Sequence, residues 1–142
     1  MNDKFIGTWI LEKWQYLLDE KELPLWEDKK GILIYTSDGM MSAILMDGSR
    51  KPFDQPFLSK GTTQEKEAAV NGYVSYAGSF KTDEHKVYHH VHFSLLPNWI
   101  GTTLERYYQF EDDDNSLVLS TASEIAPNGK SIKNILTWQR KY

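Results

Sequence analysis

Short stretches of alternating apolar and polar residues, each ended by a turn signal, run through nearly the whole chain and constrain its fold most. Asp38-Gly39 lies between two apolar runs, and Asn128-Gly129 marks the last turn. Such dipeptides favour hairpins because their residues tolerate positive φ. Segments of this length and spacing predict an all-β barrel or sandwich, and we count about eight of them. An eight-stranded antiparallel barrel has an interior just wide enough for side chains or for one small ligand.

One segment has helical signals instead. Thr62 is followed three residues later by Glu65, which is the pattern of a capping box, and Gly72 is a suitable stop after Asn71. The segment between them is short and mostly polar, so we expect it to lie across the mouth of the β structure. The predicted fold is therefore an all-β, eight-stranded antiparallel barrel with one short helix near residues 63–71.

Composition excludes several classes of protein. The 142 residues fit one domain, 1–142, with a single core. The absence of cysteine excludes disulfide scaffolds, thiolate zinc sites and a cysteine nucleophile. A net charge of −4 argues against a nucleic-acid partner, and no apolar run approaches the roughly 20 residues that span a membrane. The first residues lack the pattern of a signal peptide, which predicts a cytoplasmic protein.

The two faces of each predicted strand differ in polarity, and we take the more apolar face as the interior. This choice places a set of mainly aromatic side chains inside, together with three polar ones. The set is Tyr76, Phe80, His89, Phe93, Arg106, Tyr108, Asn134 and Trp138. A mostly apolar interior with a few polar groups is typical of a small-molecule site.

Two alternatives to this assignment stay open. The aromatic side chains of so small a barrel can simply fill its core, with His89 as a hydrogen-bonded structural residue. A register slip of one residue would replace His89 by His90 and His92 in the interior. The latter two imidazoles share a strand face, but no carboxylate follows them at the spacing of a cupin-like metal site, so no metal site is predicted.

The segment 94–102 is too long for a tight hairpin and keeps Trp99 in a loop between two strands. One interpretation is that Trp99 plugs a barrel end. The other is that Ser94, Asn98 and Trp99 form one wall of a binding site.

The chain resembles the small lipocalin-like domain family of bacteria and fungi. The first strand carries Gly7-Thr8-Trp9, which matches the Gly-x-Trp signature of lipocalins and other calycins. Further matching stretches follow in order along nearly the whole chain. They are Gly31 to Thr36, Asp38-Gly39, Met41 to Ala43, Tyr73, Tyr76, Gly78, His89 to Val91, Ser94, Pro97 to Trp99, Gly101-Thr102 and Arg106.

The resemblance implies a calycin barrel with a central cavity, in which Trp9 packs across the closed end. It also implies that a late arginine, Arg140 or Arg106, stacks on Trp9. Some lipocalin-like barrels in natural-product pathways act as cyclases or isomerases. Secreted lipocalins carry signal peptides and often disulfides. These residues contain no cysteine and begin without a signal-peptide pattern, so we do not expect extracellular transport.

Three functions are compatible with these observations. The first is binding of a small apolar or aromatic molecule, such as a polyketide-like acid, by the inward aromatic side chains, with Arg106 holding an anionic oxygen. The second is a cofactor-independent cyclase, isomerase or dehydratase. In it His89 is the general acid or base, Tyr76 or Tyr108 donates a proton and Arg106 stabilises an oxyanion. The third is a structural domain whose outward Tyr73, Tyr88 and Tyr107 form a homodimer face.

Overall fold

Residues 3–141 are described by a computed structural model and form one antiparallel sheet that closes on itself. Eight long strands build the wall: β1 (Gly7–Leu18), β3 (Lys29–Tyr35), β4 (Met40–Asp47), β5 (Tyr73–Thr82), β6 (Lys86–Ser94), β7 (Thr103–Glu111), β8 (Ser116–Ser120) and β10 (Ser131–Arg140). Two short strands, β2 (Lys21–Leu23) and β9 (Glu124–Ile125), extend the sheet locally. The remaining elements are helix α1 (Thr63–Asn71) and three 3₁₀ turns, Asp3–Phe5, Leu58–Lys60 and Pro97–Trp99.

The barrel closes between its first and last long strands. The wall runs in the order β1-β3-β4-β5-β6-β7-β8-β10, and β10 pairs with β1 from Trp9 opposite Arg140 to Leu18 opposite Ile132. Every pairing is antiparallel and joins strands that are neighbours in sequence, apart from the small β2 and β9 insertions and the closing pair. The prediction of an eight-stranded antiparallel barrel is confirmed.

Helix α1 has the bounds and the caps that the sequence indicates. The Thr62 hydroxyl accepts from the backbone N–H of Glu65 at 3.1 Å, and a Glu65 carboxylate oxygen accepts from the N–H of Thr62 at 2.8 Å. These reciprocal bonds complete the capping box, and Gly72 ends the helix. None of the residues of the helix is buried, so capping rather than packing defines where it begins.

One end of the barrel is filled by aromatic side chains. Trp9 is fully buried, and its indole N–H donates to the carbonyl oxygen of Phe5 at 2.9 Å. Arg140 covers it, with the guanidinium carbon 4.2 Å from the ring centroid and N–H groups bonded to the carbonyl oxygens of Lys4 and Ile6. Of the two arginines that the resemblance allowed, Arg140 is therefore the one that stacks on Trp9.

A β-bulge in β6 reverses the strand faces beyond Val91. Gly78 pairs with Val91 but Ala77 pairs with Phe93, so His92 is an extra residue. Only glycine fits opposite this bulge, because a Cβ at Gly78 would lie 1.8 Å from the carbonyl oxygen of His90. The prediction that Phe93 faces the interior is wrong, since the bulge turns Phe93 outward and leaves it 68% exposed.

Before the bulge the predicted register holds. His89 is 1% exposed and points into the barrel, while His90 is only partly buried and His92 is exposed. The slipped register that would have placed His90 and His92 inside does not occur.

Candidate functional site

Above the aromatic end the barrel contains a cavity of about 180 Å³. Its wall combines aliphatic side chains, four aromatic ones and a few polar groups. The lining residues are Trp14, Leu33, Ala43, Leu45, Val74, Tyr76, His89, Trp99, Arg106, Leu119, Thr121, Asn134, Leu136 and Trp138. Six of these, namely Tyr76, His89, Trp99, Arg106, Asn134 and Trp138, are among the side chains that the sequence predicts for the site. The structure therefore gathers them from four separate strands and one loop.

The other predicted site residues lie elsewhere. Phe80 and Tyr108 face inward but belong to the filled end, where Phe80 packs against Tyr35 and the Tyr108 hydroxyl donates to the carbonyl oxygen of Asp83 at 2.7 Å. Their predicted contact with the cavity is wrong, because strand alternation defines the face of a residue but not its height in the barrel. Phe93 lies outside for the reason given above.

Trp99 is the one residue of its predicted loop wall that reaches the cavity. Its ring lines the cavity and meets Tyr76 edge-on, with centroids 5.7 Å apart. Ser94 and Asn98 do not join it in the cavity wall. The Ser94 hydroxyl accepts from the backbone N–H of Leu96 at 3.1 Å, and Asn98 is exposed. The loop thus contributes one aromatic side chain to the cavity, while Ser94 stabilises the chain around it.

A hydrogen-bonded chain of three side chains joins the cavity to the filled end. His89 Nε2 lies 2.7 Å from the Tyr35 hydroxyl, and His89 Nδ1 lies 2.9 Å from the Tyr76 hydroxyl. We call these three residues the Tyr-His-Tyr relay. Tyr76 and His89 line the cavity, whereas Tyr35 is buried below it against Phe5 and Phe80.

Burial keeps the relay uncharged. It lowers the pKa of His89 to about 3, and the nearby Arg106 guanidinium acts in the same direction. Burial also raises the pKa of Tyr76, and it raises the pKa of Tyr35 well above its ordinary value. At neutral pH the imidazole is therefore neutral, and both of its nitrogens are engaged by tyrosine hydroxyls.

The remaining polar groups of the wall are mainly hydrogen-bond donors. Arg106 donates to the carbonyl oxygen of Glu105 at 2.9 Å but makes no ion pair with any carboxylate of residues 3–141. The buried indole N–H of Trp138 has no hydrogen-bond acceptor among residues 3–141. Asn134 accepts from the Trp14 indole N–H at 2.9 Å, which leaves its amide NH₂ as a further donor. None of the described residues that line the cavity carries a carboxylate.

The sequence analysis did not predict several of the residues that line the cavity. Trp14 and Trp9 both face inward although five positions separate them, because β1 has an irregularity between Leu11 and Lys13. That shift has no signal in the sequence. Leu33, Ala43 and Leu45 had a usable signal, since they alternate with outward residues along β3 and β4.

On the outer face of the barrel, His90, Tyr88 and Tyr107 have local partners. His90 Nδ1 lies 2.8 Å from the Thr103 hydroxyl, and residues 3–141 contain no cluster of three potential metal ligands. The Tyr88 hydroxyl donates to Asp83, and Lys86 lies over the ring of Tyr107. A homodimer through these outward tyrosines stays a prediction. Within the described range no helix is long and apolar enough to cross a membrane.

A closed barrel with a lined cavity and a Trp9–Arg140 closed end defines a calycin-type protein, and comparison with known families agrees. The chain belongs to the lipocalin-like domain family, whose model matches residues 6–141. One relative is the 4'-hydroxy-3'-methoxypropiophenone carrier protein ppsC of Aspergillus oryzae. It is 33% identical, over an alignment that covers 71% of this chain and 96% of the relative.

Proposed function

We propose that the protein binds one small aromatic molecule with an acceptor oxygen in the barrel cavity and acts as its carrier. The observation that carries this proposal is the cavity itself. It is apolar over most of its wall, yet it holds an arginine without a carboxylate partner among residues 3–141. The Arg106 guanidinium is only partly buried and carries five N–H donors, of which one is bonded to the carbonyl oxygen of Glu105. A ligand oxygen would accept from a donor that faces the cavity.

The size of the cavity limits the ligand. A cavity of about 150 Å³ with apolar walls holds benzene. The space of about 180 Å³ in this barrel therefore suits one ring with short substituents rather than a fused ring system or a long acyl chain. This volume narrows the sequence prediction of a polyketide-like acid to the smallest members of that class.

The wall also favours an aromatic ring. Trp14, Tyr76, Trp99 and Trp138 surround the cavity, and aromatic side chains stack against planar ligands over a large area. The name of the Aspergillus oryzae relative specifies an aryl ketone, which has one ring, a short chain and acceptor oxygens. A ligand of this type matches both the volume and the donors of the cavity described here.

Titration of the protein with 4'-hydroxy-3'-methoxypropiophenone, followed by tryptophan fluorescence and calorimetry, tests the proposal. We expect saturable binding with one site per chain. Ala43→Leu should weaken it at least about tenfold, because Ala43 lines the cavity and a larger side chain fills the space. Ile44→Leu is the matched control, since the next residue of β4 points to the other face. Absence of binding by the wild type, or equal binding by Ala43→Leu, would contradict the proposal.

Catalysis is the second candidate function, and the relay is the observation that favours it. Tyr76 lines the cavity with its hydroxyl bonded to a buried imidazole, next to Arg106. His89 itself has no free nitrogen, and its low pKa makes it a weak base. In the enzyme hypothesis Tyr76 and Arg106 would therefore contact the substrate, with His89 behind Tyr76. Recovery of bound ligand unchanged after long incubation supports a carrier, whereas conversion that Tyr76→Phe abolishes supports an enzyme.

A further inference from the structure

We propose that Tyr35 and His89 direct the hydroxyl proton of Tyr76 into the cavity, so that the site selects ligands with a carbonyl oxygen over isosteres without one. This inference rests on the proposed function, because it assigns the group that meets the ligand oxygen. Tyr35 does not line the cavity, so it acts as a positioning residue through His89.

The relay has only two complete proton arrangements. A neutral imidazole has one N–H donor and one bare acceptor nitrogen. In the first arrangement Tyr35 donates to Nε2, and the Nδ1–H donates to the Tyr76 oxygen. In the second, Tyr76 donates to Nδ1, and the Nε2–H donates to the Tyr35 oxygen. The two arrangements differ in which tyrosine keeps an uncommitted hydroxyl proton.

Burial separates the two arrangements. Tyr35 is 1% exposed, lies against the rings of Phe5 and Phe80, and has His89 as the hydrogen-bond partner of its hydroxyl within residues 3–141. The second arrangement would leave the Tyr35 proton in this apolar surrounding without an acceptor, which costs free energy. Tyr76 is less buried and lines the cavity, where its proton can reach a ligand or water. The first arrangement is therefore the stable one.

This arrangement gives the cavity an aimed donor. The Tyr76 oxygen accepts from His89 and its proton is left for the cavity, where Arg106 adds a positive charge nearby. A carbonyl oxygen accepts one or two such bonds, whereas a methylene group in its place leaves the donor unpaired. Sites that hydrogen-bond a ligand group discriminate strongly against analogues that lack it, because the buried donor then has no partner.

The test compares propiophenone with propylbenzene, which differ by the carbonyl oxygen. We expect the wild type to prefer the ketone by calorimetry. Tyr76→Phe should reduce that preference by about tenfold, the equivalent of about 1.4 kcal/mol. Tyr35→Phe should reduce it by about threefold, since it removes the donor that holds His89 in one tautomer. Tyr108→Phe is the matched control: it also removes the hydroxyl of a tyrosine whose ring packs on Phe5, but outside the relay, and should leave the preference unchanged.

The tautomer of His89 can also be measured on the wild-type protein, so this test does not depend on whether the variants fold. Nitrogen-15 spectra distinguish the two histidine tautomers, and we expect His89 to carry its proton on Nδ1. A proton on Nε2 would overturn the inference, as would a ketone preference that Tyr35→Phe leaves at the wild-type value. If both ligands bind the wild type equally well, the relay inference fails while the proposed binding stands. If neither ligand nor 4'-hydroxy-3'-methoxypropiophenone binds, the proposed function itself fails.

Discussion

The two halves of the barrel interior are both rich in aromatic side chains, but their polar groups differ. At the filled end the Trp9 indole N–H and the Arg140 guanidinium all reach backbone carbonyl oxygens. Around the cavity the Trp138 indole N–H has no acceptor and Arg106 no carboxylate partner among residues 3–141. The same residue types therefore have their polar groups satisfied in one half, whereas the other half keeps a buried donor without an acceptor among residues 3–141.

The difference has a structural source. The 3₁₀ turn before β1 brings Phe5 into the filled end, where its ring meets Tyr35, Tyr108 and Phe110 edge-on. Helix α1 near the other end has no buried residue and supplies no comparable plug. An aromatic interior thus marks either a core or a binding site, and the satisfaction of its polar groups tells the two apart.

Replacing one tryptophan from each half gives the largest expected contrast. Trp9→Ala should lower the free energy of unfolding by about 3–5 kcal/mol, because it leaves a cavity in a filled region and removes the partner of Arg140. Trp99→Ala should cost less than about 2 kcal/mol, since Trp99 is only partly buried and already borders empty space. Urea unfolding measures both. Equal losses would show that the cavity half is packed as tightly as the filled half.

The relay, which joins the two halves, should make stability depend on pH. His89 has a pKa of about 3 in the folded protein against 6.5 for an ordinary histidine. Its contribution to stability is therefore complete above pH 6.5 and is lost as the pH falls towards 3, because the unfolded chain binds the proton more readily. The slope approaches about 1.4 kcal/mol per pH unit within that window.

The corresponding measurement is urea unfolding between pH 6.5 and 4.5, with His89→Gln as the comparison. The variant lacks the titrating group, so its stability should fall less steeply over this range. Parallel curves for the two proteins would refute a buried neutral His89.

Phe80→Leu tests whether packing in the filled half affects ligand affinity in the cavity half. Phe80 packs on Tyr35 and does not line the cavity, so we expect a loss of about 1–2 kcal/mol in unfolding free energy. Ligand affinity should stay within about twofold of the wild type, a difference of less than about 0.5 kcal/mol. A tenfold loss of affinity without a loss of stability would instead place Phe80 in contact with the ligand, as the sequence predicts.

Thr62→Ala should have the smallest effect. It removes one hydrogen bond of the capping box and should cost no more than about 1 kcal/mol. Thr62→Ser, which keeps the hydroxyl, is the control and should behave as the wild type. A larger loss, or a change in ligand affinity, would show that helix α1 contributes to the cavity half after all.

Much of the fold could be predicted from local patterns. The turn dipeptides, the alternation of apolar residues and the capping box at Thr62 depend on neighbouring residues only, so they indicated the eight strands, the barrel and helix α1. Alternation also placed Tyr76, His89, Arg106, Asn134 and Trp138 in the interior, where the structure has them on the cavity wall. Their roles in binding or catalysis stay predictions.

The sequence by itself therefore determined the strands, their faces and the chemical character of the interior. Only the tertiary structure decided the height of each inward side chain, which separates Phe80 and Tyr108 from the cavity, and the positions of the bulges, which turn Phe93 out and Trp14 in. It also placed His89 within hydrogen-bonding distance of Tyr35, which lies 54 residues earlier in the chain. These features depend on register between distant strands, and register is set by the packing of the whole barrel rather than by any local run of residues.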